Sequence, residues 1–555
     1  MNKKVCSFPI LFALLALLIG TCAVVFPASA QAAPTSTGSI TVSGTVASSY
    51  DAYQIFSANV VDGDSDAKIA TDLAWASDAV RDAALPVLHS AGMPKSQTTA
   101  QEAAEWLNTD SHLTSALSAQ LARSLQSSGA VSVALNAGTA AELPCGYWLI
   151  VADDDAIAQG EAGTAPIMAL VGGSAVTVKP KAATPKVAKH VLEDSAAAWQ
   201  KAADATVADD LYWRLSATVP AGLTAYDTYT VRFVDTMSAG LDPSKVAASM
   251  RVYAAAGADG GFDAVSAGRD GRAGTDPAKG WTDITAQCAT KVAADGTFTV
   301  RTGDLIAALG GADAFTAGAR VVAVYNAPLN SACNHGIAKG NPNEVYLRYP
   351  RSPFADQSGD AGFTHTPSDD ACAYTWDLAL TKRGSDGDKP LAGAVLSIAD
   401  DRGRTLAADD TWDAEGKATV TTGEDGRVTV SGVDSGKLEV RELKAPKGYT
   451  AFEGTRSVTV KAEGLDVDQV AAAKPKLTIT AESPLRADSA DGSTGSLEAS
   501  LINTPTGTPP SITTGGFMPS TGDMAMYAAA AAAVAGAALI VVALLVKRGG
   551  GSHKE

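Results

Sequence analysis

In three segments of this chain apolar residues recur at every second position, and each run ends by placing a polar residue on the apolar side. Along Tyr374 to Lys382 the even positions carry Tyr374, Trp376, Leu378 and Leu380, and Lys382 continues them. Leu438 and Val440 lead to Glu442, and Leu497, Ala499 and Leu501 lead to Asn503. Residues i and i+2 of a strand share a face, so a Lys, a Glu and an Asn enter an apolar interior together. The pattern recurs upstream. Lys189 shares parity with Val187 and Val191, Asp235 with Tyr229, Val231 and Phe233, and Asn343 with Val345, Leu347 and Tyr349. A strand-end side chain that snorkels to water accounts for any one of these. It does not account for three whose chemistry fits together.

The rest of the composition agrees with a strand-rich chain. There are 52 glycines but only 12 Phe and 13 Tyr, which suits short strands and turns better than a large helical fold. Hydrophobic residues make up 46% of the chain, enough for packed cores. The 555 residues allow three or four domains. With 60 acidic and 43 basic residues the formal net charge is -17, which argues against nucleic acid as a partner, because the phosphate term would be repulsive.

Both ends read as processing signals. Lys3 and Lys4 precede the apolar run Ile10 to Ile19 and the small residues Ala28-Ser29-Ala30, the layout of a signal peptide over residues 1–30. Near the other end a linker over 506–517 precedes Met518-Pro519-Ser520-Thr521-Gly522. An apolar stretch over 525–546 follows, long enough for a transmembrane helix, and then a basic cytoplasmic tail over 547–555. This three-part order resembles the LPXTG sorting signal of Gram-positive surface proteins, with Met518 in the place of Leu. The resemblance implies a sortase that attacks the Thr521 carbonyl, releases Gly522 onward and passes the acyl group to an amine. It also implies a secreted protein anchored to the cell wall, with peptidoglycan as a partner.

Three blocks lie between these ends. Residues 38–178 open on Tyr50-Asp51-Ala52-Tyr53-Gln54-Ile55-Phe56 and continue with helical stretches around Ala67 to Leu85 and Ala100 to Leu125. The opening is similar to the N-terminal domain of Gram-positive backbone pilins. Residues 184–353 carry Val231-Arg232-Phe233-Val234-Asp235, Tyr325-Asn326-Ala327 and Asn341-Pro342-Asn343, and resemble the fimbrial isopeptide-formation domain called D2. Residues 373–505 carry Leu380-Thr381-Lys382, Pro390-Leu391-Ala392-Gly393-Ala394, Glu442-Leu443-Lys444-Ala445-Pro446-Lys447-Gly448-Tyr449 and Leu501-Ile502-Asn503-Thr504-Pro505. They resemble a CnaB-type, prealbumin-like sandwich. The expected fold is therefore mainly β: tandem Ig-like or CnaB-type sandwiches after an α+β N-terminal domain, with a C-terminal transmembrane helix.

The resemblance gives the inward polar residues a task. Burial disfavours the charged forms of Lys and Glu. A neutral Lys382 amine can then attack the Asn503 carboxamide while Glu442 polarises it and moves protons. Ammonia leaves, and an isopeptide bond remains. Lys189, Asp235 and Asn343 form the second set, with Asn341 as the alternative amide because Tyr349-Pro350-Arg351 departs from the usual continuation. Val178-Lys179-Pro180-Lys181 resembles the pilin motif, which makes Lys181 the acceptor of another subunit's Thr521 acyl group, with Lys179 and Lys186 as alternatives. The expected function is a backbone subunit polymerised with identical copies. The competing reading is a wall-anchored or pilus-tip adhesin with a host or bacterial receptor. No constellation for an enzyme stands out, and no cofactor or metal is expected, since the six histidines lack ligand spacing. Cys145, Cys288, Cys333 and Cys372 permit three disulfide pairings, left open here.

Overall fold

The computed structural model describes residues 36–507, apart from 65–66, 110, 164, 181–183, 222, 258–279, 312–313 and 315–317. Lys181, Thr521, Gly522, the signal peptide and the apolar C-terminal stretch lie outside the described residues. What is described is mainly β, in three successive cores.

The first core combines sheet and helix. A long strand, Ser49–Asp62, sits between Lys68–Trp75 and Gly146–Ala152 in a five-stranded sheet, and a three-stranded sheet is centred on Thr37–Val42. Three helices, Asp78–Ser90, Ala100–Asn108 and Ser115–Ser128, pack Ala84, Leu88, Leu107, Leu121 and Leu125 against Phe56 and Leu149. Two expectations need correction here. Residues 68–75 form a strand and not a helix, because they pair antiparallel with Ser49–Asp62 across a bulge at which Asp72 takes a φ of +56°. The helix begins only at Asp78, where Ser77 accepts from the Val80 amide. The stretch from Ala100 to Leu125 is likewise two helices. Thr99 and Glu102 close a capping box on the first, and Thr114 caps the second.

The second core lies between two facing sheets. One has six strands, with Lys186–Glu193, Tyr212–Val219 and Ala319–Asn326 side by side. The other has seven, with Asp369–Tyr374, Asn341–Pro350, Arg232–Met237 and Thr297–Arg301 in that order. Trp213, Tyr229, Phe233, Phe298, Tyr325 and Tyr349 fill the space between them. Tyr374 belongs to this seven-stranded sheet, so the even-numbered run from Tyr374 to Lys382 is shared by two sandwiches.

The third core again has two sheets. Trp376–Gly384 and Ser496–Pro505 run side by side in parallel, with Lys382 opposite Leu501 and Gly384 opposite Asn503. The facing sheet contains Val395–Ala399, Gly436–Lys444 and Thr455–Glu463. Trp376, Leu378, Leu380, Val440, Leu497 and Leu501 are buried between them. Outward neighbours such as Arg441 and Glu498 stay exposed, which is the alternation of a half-buried strand.

Candidate functional site

Parity delivers the polar residues to the interior in both sandwiches. Lys382 is fully buried, Asn503 is 2% exposed and Glu442 6% exposed. Lys382 and Asn503 come from the adjacent parallel strands, and Glu442 reaches them from the opposite sheet. Lys382 Nζ lies 3.6 Å from Glu442 Oε1, and Asn503 Nδ2 donates to that same oxygen at 2.8 Å. The other carboxylate oxygen accepts from the Phe452 amide at 3.1 Å, which fixes the orientation of the acid. Burial pulls the Lys382 ammonium down to about 8, against the opposing pull of Glu442. A neutral, nucleophilic amine is therefore accessible near neutral pH.

The middle sandwich builds a related site across its two sheets. Lys189 projects from one sheet, Asp235 and Asn343 from the other, and all three are fully buried. Lys189 Nζ donates to Asp235 Oδ2. Burial pulls the Lys189 amine down to about 8 and pushes the Asp235 carboxyl up to about 6, in each case against the pair's mutual attraction. Among the described hydrogen bonds none joins Asn343 directly to Asp235. It reaches the acid through Tyr325, whose hydroxyl accepts from Asn343 Nδ2 at 2.8 Å and donates to Asp235 Oδ2 at 3.1 Å. Lys189 Nζ also lies 3.0 Å from that hydroxyl. Burial holds the Tyr325 phenol well above its usual range, so it keeps its proton.

Tyr325 did not stand out as a site residue in the sequence. The available signal was its parity with Val321 and Ala323, which aims a hydroxyl into a closed core, where it needs a partner. Asn341 is placed differently from Asn343. Its Nδ2 donates to Asn334 and Ala373 carbonyls and its Oδ1 accepts from the Asn334 amide, so its amide is occupied in strapping a loop. The Asn343 and Asn503 carboxamide oxygens, by comparison, are both buried without a hydrogen-bond partner. A buried acceptor left unpaired costs roughly 1–3 kcal/mol. Both sites thus hold the carbonyl that would be attacked in a destabilised state.

Residues 377–474 match the family model described as SpaA, prealbumin-like fold domain. Over 143 residues the chain is 30% identical to the trypsin-resistant surface T6 protein of Streptococcus pyogenes serotype M6, a match that spans 24% of this chain and 24% of that relative. The chain is similar to Gram-positive backbone pilins. Among solved structures it resembles the T6 backbone pilin of serotype M6 Streptococcus pyogenes, with a TM-score of 0.44 and 16% identity over 85% of this chain and 98% of that one. It also resembles the full-length major pilin SpaD of Corynebacterium diphtheriae, with a TM-score of 0.41 and 15% identity over 86% of this chain and all of that one. The pilin-like chain holds four described cysteines, Cys145, Cys288, Cys333 and Cys372, as free thiols. No group of His, Cys, Asp and Glu with metal-binding geometry occurs among the described residues.

Proposed function

We propose that this chain is a structural backbone subunit of a covalently polymerised pilus on a Gram-positive surface, and that each of its two sandwiches is locked by a Lys–Asn isopeptide bond. The observation that carries the reading is the pair of closed sites, in each of which a depressed amine, an acid and an unpaired carboxamide carbonyl meet inside an apolar core.

The geometry supports a specific proton route in the third core. As Lys382 Nζ bonds to Asn503 Cγ, Glu442 Oε1 takes a proton from the amine. The same oxygen already receives a hydrogen bond from Nδ2 and returns the proton there as the C–N bond breaks. Ammonia departs and the acid is regenerated. In the middle core the corresponding route runs from Lys189 to Asp235, then through the Tyr325 hydroxyl to Asn343 Nδ2. Each bond forms once per chain, so the chemistry is maturation and not turnover.

Polymerisation is part of the same proposal. Sortase would cleave between Thr521 and Gly522 and join the Thr521 acyl group to Lys181 of another copy or to peptidoglycan. Mass mapping of the purified ectodomain tests the core of the reading. Two ammonia losses are expected, with crosslinked peptides joining Lys189 to Asn343 and Lys382 to Asn503. A chain with neither loss overturns it. In wall extracts, Lys181→Ala should replace a polymer ladder with monomer, and an unchanged ladder would remove Lys181 from the acceptor role.

A further inference from the structure

We propose that Cys333, His335 and Asp377 form a reactive-thiol site, at which Cys333 exchanges with a small, polar aliphatic disulfide. The three residues belong to neither Lys–acid–Asn set. Cys333 and His335 lie on the loop between Ala319–Asn326 and Asn341–Pro350, whereas Asp377 opens the first strand of the third core. His335 Nε2 lies 3.5 Å from Cys333 Sγ, and His335 Nδ1 lies 2.7 Å from Asp377 Oδ1. A thiol, an imidazole and an orienting carboxylate are thus in series, the arrangement that supplies a thiolate nucleophile.

The series is held from both sides. Asp377 Oδ1 also accepts from the Gly432 amide at 3.0 Å, which fixes the carboxylate. Asn341 straps the loop at the Asn334 amide and carbonyl, at 2.8 and 2.9 Å. The next residue is a glycine for a reason: Gly336 has a φ of +78°, and a Cβ there would stand 2.5 Å from the Thr494 carbonyl carbon. The loop is seated backbone to backbone on the third core, through Gly336 on Thr375 and Ile337 on Gly492, and the bond to Asp377 orients the imidazole.

Hydrogen bonds to Asp377 and Cys333 push His335 up to about 10, so the imidazole keeps its proton and its positive charge beside the sulfur. The other cysteines lack this setting. Cys288 Sγ donates to the Ile284 carbonyl at 3.3 Å, and burial pushes both the Cys288 and the Cys372 thiols up to about 11. His335 lines a cavity of about 810 Å³ between the second and third cores. Its wall carries Lys245 and Arg404 together with the carboxylates of Asp209, Asp242, Asp409 and Asp410, which suits a small polar molecule better than an apolar one. In the exchange the Cys333 sulfur attacks one sulfur of the ligand. The ligand's S–S bond breaks, a mixed disulfide forms on Cys333, and the departing thiolate takes the proton held between Cys333 and His335. Sulfur oxidation states balance without a further reactant.

Hydroxyethyl disulfide is the probe, applied to the purified ectodomain, with the mixed disulfide at each cysteine measured by peptide mass. Cys333 should react about tenfold faster in the folded protein than in the same chain unfolded in urea. His335→Gln should remove the acceleration. A folded-state rate no higher than the unfolded one, or an unchanged rate in His335→Gln, would each overturn the proposal. The comparison of folded with unfolded wild-type chain needs no variant, so it stands even where His335→Gln disturbs the loop.

Discussion

Glu442→Gln isolates the proton route of the third core. The substitution keeps the size of the side chain and an oxygen to accept from the Phe452 amide, but it removes the one carboxylate among the described residues that contacts both Lys382 Nζ and Asn503 Nδ2 and can exchange protons with them. The expected product is a folded chain that has lost one ammonia fewer and lacks the Lys382–Asn503 crosslinked peptide. The cost follows from chain entropy. A crosslink between positions 382 and 503 closes a loop of about 120 residues, worth roughly 5 kcal/mol against the unfolded state. For a sandwich of about 130 residues each kcal/mol moves the midpoint by roughly 3–5 °C, so the third core should melt about 15–25 °C lower. Differential scanning calorimetry, with mass mapping of the same sample, measures both quantities. A Glu442→Gln chain that still shows the crosslinked peptide would refute the assignment of Glu442 as the proton carrier. A chain that loses the peptide but keeps its midpoint would refute the stability argument.

Tyr325→Phe should suppress the Lys189–Asn343 crosslink while leaving the Lys382–Asn503 crosslink complete in the same molecule, read by peptide mapping; equal yields at both sites would remove the hydroxyl from the route. In Asn503→Ala, where Lys382 stays a free amine, the folded lysine titrates near 8 and the unfolded one near 10.4. The unfolded state then binds the proton more tightly, so stability should rise from pH ~8 to ~10.5 and level off above, relative to Lys382→Met/Asn503→Ala; a flat difference would refute it. Pulled between residues 186 and 505, the crosslinked protein should lengthen by no more than about 140 Å beyond linker stretching before covalent bonds are loaded, and longer unfolding steps in force spectroscopy would refute this load path.

The parts of the sites that the sequence discloses are those on strands with one buried face. Lys382, Glu442 and Asn503 stand out because period two leaves no doubt about which way they point, and a polar residue on that face is an anomaly. Tyr325 is not an anomaly by the same test. An inward tyrosine passes for core, and only the positions of Asp235 and Asn343 reveal that its hydroxyl joins them. Cys333 and His335 sit on a loop, where no period exists, and their partner Asp377 comes from another core. The Ala-rich stretch after Ala67 shows composition and pairing in conflict. Alanine suits a helix, yet the β-branched Ile69 and Thr71 and the aromatic Trp75 pair with the long neighbouring strand, and pairing overrides local propensity.

The two sites differ in what they tie together, and the difference has a mechanical consequence. In the third core the reactive strands are neighbours and run parallel, so the bond sits near the exits of both. Force entering at Trp376 travels six residues to Lys382, crosses to Asn503 and leaves two residues later at Pro505. The intervening chain is off the path, including the whole facing sheet. In the middle core the bond crosses between sheets, from Lys189 near the start of its strand to Asn343 near the start of Asn341–Pro350. The strand after Asn343 and the following Asp369–Tyr374 still lie between the crosslink and the third core. That leaves about 39 residues, from Asn343 to Lys382, whose hydrogen bonds must carry the load themselves, and their contour is at most about 140 Å. Asp369–Tyr374 resists by pairing antiparallel with Asn341–Val345 on one side and in parallel with Ala202–Asp204 on the other. Trp376 Nε1 and Ser435 bind Asp204 at the same junction, joining the two cores where the covalent path is interrupted. Between Lys189 and Asn503, the segment between the crosslinks is therefore the part of the load path that can give under tension and recover.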